Sequence, residues 1–148
     1  MKKSFKKIIF ILFVFYCILL AFVLLFPNLH HHSEFERSYN LIPFATISEM
    51  IGRLVEQTIN ADIVIKNIGM NILLFIPLGL ALPVLFKKIR RFWKVVLICF
   101  AVTVFVETIQ YAFNFGSFDI DDIILNTFGG ICGYGISIIS FMRKSLFD

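Results

Sequence analysis

The chain has no cysteine outside its apolar segments, no phosphate-cradling glycine loop, no serine elbow and no small-x-small cleavage site after its first apolar run. Each absence closes a class. Cys17, Cys99 and Cys132 fall in three different apolar segments, where they act as small hydrophobic side chains and cannot build a secreted disulfide scaffold. Lys2, Lys3, Lys6 and Lys7 precede an apolar run longer than the about 7–15 residues of a signal core, so the segment reads as an uncleaved anchor. His30, His31 and His32 are consecutive and have no Cys or carboxylate at ligand spacing, which argues against zinc. Internal repeats and low-complexity tracts are also missing, and residues 1–148 read as one domain.

Hydrophobic residues, by contrast, make up 59% of the chain and mean hydropathy is +0.88, more than a soluble domain of 148 residues can hide. Four apolar segments, about 8–26, 68–86, 93–113 and 123–142, each approach the roughly 20 residues that span a bilayer. The expectation is an all-α membrane protein, a bundle of four spanning helices in a cell membrane. Eleven of the fourteen Lys and Arg residues flank these segments on one side: Lys2, Lys3, Lys6 and Lys7, then Lys87, Lys88, Arg90, Arg91 and Lys94, then Arg143 and Lys144. That bias predicts cytoplasmic amino and carboxyl termini. The net charge of +4 and pI near 9.1 then express topology and attraction to anionic lipids, with no call for nucleic acid.

Polar residues inside the spans carry the functional signal, since a charge at mid-helix costs about 2.5–3.5 kcal/mol on insertion scales. Asn67 and Asn71 are spaced i,i+4 near the outer end of the second span, and Pro77 and Pro83 follow, predicting kinks and freed carbonyls at Leu73 and Gly79. Glu107 and Gln110 share a face of the third span, Glu107 about 9 Å below Phe113. Asp119, Asp122 and Asn126 form a stripe at i, i+3 and i+7 leading into the fourth, while Asp119 and Asp121 also suit the helix dipole. Gly129, Gly130, Gly133 and Gly135 read as a close-packing seam, with Gly129 and Gly133 in GxxxG spacing. Before the second span, Phe44, Ile47, Ile51, Leu54, Val55 and Thr58 recur at helical spacing. Pro43 and the capping-box spacing of Thr46 to Glu49 mark the start of a short amphipathic helix on the outer surface.

These residues resemble the VanZ-like family of small bacterial membrane proteins. The resemblance runs through Asn40-Leu41-Ile42-Pro43-Phe44, Asn67-Ile68-Gly69-Met70-Asn71, Phe75-Ile76-Pro77-Leu78-Gly79, Glu107-Thr108-Ile109-Gln110 and the stretch from Phe118 to Thr127 with Gly129 and Gly130. Ser117 departs from the pattern, many members having an arginine there. The resemblance implies location in the bacterial envelope and, for the founding member, reduced sensitivity to the lipoglycopeptide teicoplanin. Three function classes follow. The first is a non-catalytic protein whose outer-leaflet polar pocket, built from Asn67, Asn71, Glu107, Gln110, Asp119, Asp122 and Asn126, binds a lipid headgroup or a lipid-linked cell-wall precursor. The second is an enzyme in which Glu107, Asp119 and Asp122 hold a divalent cation against a lipid-linked phosphate. The third is a small cation or proton transporter working through Glu107, which four helices could support only as a homo-oligomer or with a partner. A pocket with no obvious nucleophile or His base favours the first.

Overall fold

In the computed structural model, which describes residues 3–25 and 39–147, the chain is helical apart from one strand pair. The order is α1 (Lys3–Leu25), β1 (Tyr39–Asn40), α2 (Ala45–Val55), α3 (Ala61–Leu85), a 3-10 turn (Lys87–Ile89), α4 (Phe92–Ala112), β2 (Phe118–Asp119) and α5 (Ile120–Phe147). The three histidines lie outside the described residues. Within α1, α3, α4 and α5 run four stretches long and apolar enough to cross a membrane: Lys6–Leu24, Ala61–Leu85, Phe92–Ala112 and Ile120–Ser140. This is a multi-pass membrane architecture.

Helix starts differ from the apolar segments because hydropathy sees only the lipid-compatible part of a helix. α3 begins at Ala61, about two turns before the apolar run, in a stretch where Lys66 and Asp62 pair at i,i+4 across 3.6 Å. α5 begins at Ile120, directly after Asp119, whose side-chain oxygen accepts from the amide of Asp121 at 2.9 Å. That is the geometry of an N-cap.

The capping box expected at Thr46 and Glu49 does not form. α2 starts at Ala45, two residues too early for Thr46 to cap it, and the Thr46 hydroxyl points across the chain to Asp119 instead. α3 runs on through Pro77 and Pro83. Tyr16 donates from α1 to the Leu74 carbonyl at 2.5 Å, next to the Leu73 carbonyl expected to be free, in the turn from which Pro77 withholds an amide.

The closest packing is between α3 and α5. A Cβ added at Gly129 would collide with the Ile72 carbonyl, one at Gly133 with the Ile76 carbonyl and the Leu80 amide, and one at Gly79 with the backbone of Gly130. Two helices touch backbone to backbone here, as small residues permit in hydrocarbon, where apolar side chains gain little by leaving lipid. Gly135 is not part of the seam, having nothing within 4 Å of its would-be Cβ. It falls two positions past Gly133, about 200° around the helix. Phe75, Leu78 and Leu82 of α3, Val95, Cys99 and Val106 of α4, and Leu20 and Leu24 of α1 complete the core. Large apolar side chains such as Phe15, Ile18, Leu73, Leu97, Phe105 and Ile139 stay exposed, the surface a bilayer would cover.

The seam makes a direct prediction. Gly133→Ala should lower the thermal midpoint of the purified protein in detergent, by an overpacking cost of roughly 1–3 kcal/mol. Gly135→Ala should leave it unchanged or raise it slightly. Equal midpoints for both variants would contradict the backbone contact.

Candidate functional site

The chain direction brings the last turns of α1 and α4 and the first turns of α3 and α5 to one end of the bundle. The Gln110 side chain near the end of α4 donates to the Leu24 carbonyl near the end of α1 at 2.6 Å, tying these ends together. At this polar end β1 and β2 pair in parallel, Tyr39 with Phe118 and Asn40 with Asp119, so a segment from before α2 is stitched to the residues that open α5.

Side chains complete the stitch. Asn40 donates to Asp119 Oδ1 at 3.1 Å and to the Thr46 hydroxyl at 3.0 Å, and Thr46 donates to Asp119 Oδ2 at 2.6 Å. The Ile42 amide donates to Asn40 Oδ1 at 3.0 Å. Asp121, only 1% exposed, accepts from the Phe44 amide at 2.5 Å and from the Ile47 amide at 3.1 Å. These are orphan donors at the start of α2, which has no capping side chain of its own. A carboxylate at that position also faces the positive end of the α2 dipole. Asp121 is therefore a cap supplied by another helix. It further holds Phe44 in a left-handed backbone conformation, φ 65°, that costs a non-glycine residue about 1–2 kcal/mol.

Deeper in the bundle lies a second set. Glu107, 3% exposed, accepts from the Asp119 amide at 3.1 Å. Asn71 of α3 donates to Asp122 of α5 at 2.5 Å. Asn126, 1% exposed and one turn below Asp122, donates to the Thr103 hydroxyl of α4 at 2.9 Å. Two buried atoms here have no protein partner: Asn126 Oδ1 and the Thr127 hydroxyl.

The seven residues expected to share a pocket thus separate. Asp119 joins the stitch and touches Glu107 through its amide; Asn71, Glu107, Asp122 and Asn126 occupy the α3–α4–α5 interior. Gln110 turns to α1. Asn67 stands exposed, about 6 Å nearer the start of α3 than Asn71, and makes none of these bonds. Of the other residues that the sequence singles out, Asn40 and Asp121 hold the stitch, Gly129 sits in the α3–α5 seam, and Pro43 and Pro77 have exposed side chains. Thr46 and Thr103 are network members that sequence reasoning passed over. Thr103 was within reach, lying one helical turn from Glu107 on the same stripe. Among the described residues no group of three His, Cys, Asp or Glu side chains is arranged to hold a metal ion, so Glu107, Asp119 and Asp122 do not converge as a ligand triad. Each of these residues is occupied with a different donor.

The family model described as VanZ/LLP1 matches residues 13–142, which include every residue of both sets. Protein VanZ of Enterococcus faecium is 32% identical over 131 residues, covering 86% of this chain and 71% of that relative. The chain belongs to the VanZ/LLP1 family. No solved structure matches it significantly. In this VanZ/LLP1 protein, then, Asn40, Thr46, Asp119 and Asp121 form a cross-chain strap at one end of the bundle, with Asn71, Glu107, Asp122 and Asn126 as an interhelical set below it.

The strap can be tested apart from the rest. Asp121→Ala removes the acceptor of two backbone amides and should cost roughly 1–3 kcal/mol for the buried donors it leaves. Hydrogen exchange should speed up at Phe44 and Ile47 while the middles of α4 and α5 stay protected. Unchanged exchange at both amides would remove Asp121 from this role.

Proposed function

We propose that this protein is a non-catalytic component of the bacterial cell envelope whose polar end faces outward and binds a lipid headgroup or lipid-linked cell-wall precursor. Bound precursor becomes less accessible to glycopeptides such as teicoplanin. Both termini are cytoplasmic in this reading, on the strength of the one-sided Lys and Arg distribution. α2 then lies at the outer face as an amphipathic helix over the bundle.

The observation that carries the reading is the unpartnered, fully buried Asn126 Oδ1 beneath Glu107 and Asp122. Polar atoms at such depth are retained at a cost unless something meets them. All three residues offer acceptor oxygens and none of the network's bonds involves a cation, so the complementary ligand presents hydroxyl, amide or ammonium donors. Sugar hydroxyls, peptide amides and amino-bearing headgroups supply these. The founding member's association with lowered teicoplanin sensitivity, implied by the family resemblance, points to the same compartment.

Topology is checked first. After Cys17, Cys99 and Cys132 are replaced, a cysteine at Asn114 should be labelled by an impermeant reagent in intact cells and one at Arg90 should not; the reverse pattern would place the polar end inside and end the proposal. In a strain where expression of the wild type lowers teicoplanin susceptibility, Glu107→Gln, Asp122→Asn and Asn126→Ala should each abolish the effect at unchanged protein level. Asn67→Ala should retain it. Full protection in all three interior variants would reduce the set to interhelical glue, worth about 0.6 kcal/mol a bond.

A further inference from the structure

The opposite end of the bundle holds a site of contrary chemistry. Lys6, Lys7 and Phe10 of α1 and Leu85 and Phe86 at the end of α3 line a cavity of about 340 Å³. Its lower wall is aromatic and aliphatic, with Phe86 meeting Phe13 edge-on at 6.2 Å. Two adjacent lysines line it, and among the described residues no carboxylate does. The neighbouring basic groups Lys94 and Arg90 are directed to backbone carbonyls. Lys94 donates to the Lys88 carbonyl at 2.9 Å and Arg90 reaches the Pro83 carbonyl at 3.4 Å, so the connection between α3 and α4 is folded onto its own backbone.

We propose that this cavity is a binding site for one anionic phospholipid, with the phosphate between Lys6 and Lys7 and the upper acyl chain against Phe10, Leu85 and Phe86. Charge selects the headgroup. A zwitterionic lipid brings no net charge to two ammonium groups, whereas phosphatidylglycerol leaves one compensated at the depth where basic side chains near a membrane surface are worth most. The apolar floor selects a lipid over a free phosphate, because a soluble phosphate leaves Phe10, Leu85 and Phe86 uncovered. The site is independent of the polar end and of any role in glycopeptide sensitivity.

The test uses the full chain in nanodiscs and by native mass spectrometry after release from them. From an equal mixture of phosphatidylglycerol and phosphatidylcholine the wild type should retain one phosphatidylglycerol preferentially. Lys6→Gln with Lys7→Gln should weaken that preference by roughly thirty-fold, the worth of two interfacial lysines. Lys87→Gln with Lys88→Gln removes the same charge from the same end but not from the cavity, and should keep the preference. Leu85→Trp, which fills the cavity with both lysines intact, should lose it even if the lysine variant fails to insert. Glycerol phosphate added in excess should not displace the lipid. Equal losses in both lysine pairs, retention in Leu85→Trp, displacement by glycerol phosphate or no lipid preference in the wild type would each overturn the proposal.

Discussion

Where Gly129 meets the Ile72 carbonyl, α3 and α5 touch backbone to backbone, and the register of these two helices depends on that contact. On the polar side of this contact a hydrogen bond of 2.5 Å from Asn71 of α3 to Asp122 of α5 joins the same two helices. A shift of one residue along either helix moves these groups by about 1.5 Å, enough to break the bond. Gly133 against Ile76 repeats the contact one turn deeper and prevents such a slip. Between apolar helices in lipid there is little hydrophobic force to choose a register. Steric closeness and interhelical hydrogen bonds must choose it together, and here they agree.

Much of the acidic content then follows from backbone accounting. Hydrocarbon offers no water to the orphan amides of a helix start or a strand end, so the chain supplies acceptors from side chains. Asp119 serves α5, Asp121 serves α2, and Glu107 takes the Asp119 amide. Three carboxylates close these ends, Asp119 from the residue before its own helix and Asp121 and Glu107 from other helices. The buried Asn126 Oδ1 and the Thr127 hydroxyl, by contrast, serve no backbone group. Those atoms, with Asp122 beside them, are what a structural explanation leaves over.

The helices and the glycine contact could be read from sequence because both depend on spacing within one element. Asp119, Asp122 and Asn126 at i, i+3 and i+7, or Gly129 and Gly133 at i,i+4, share a face whatever the rest of the chain does. Pairing between distant segments has no such signature. Asn40 and Asp119 are 79 positions apart, and Asp121, which suits the dipole of its own helix on local grounds, caps α2 across 77 positions. The capping box at Thr46 failed for the same reason: a local motif lost its hydroxyl to a distant carboxylate. Asn67 shares the i,i+4 spacing of Asn71 but not its depth, and spacing alone could not say where the neighbouring helix begins.

α1 stands apart from this logic. It buries Leu20 and Leu24 but keeps most of its apolar side chains outward. Among the described residues, Tyr16 ties it to the Leu74 carbonyl of α3 and Gln110 of α4 donates to the Leu24 carbonyl at its end. Neither bond holds the first turns of the helix. There the wall is incomplete, with the lysine-rimmed cavity between Lys6, Phe10 and Leu85 and a second of about 320 Å³ lined by Ile9, Phe13, Tyr16, Ile76 and Leu80. Cavity walls forfeit the dispersion contacts of a packed interior. In a bilayer the atoms available to restore them are acyl chains, which makes lipid part of what fixes α1 against α3.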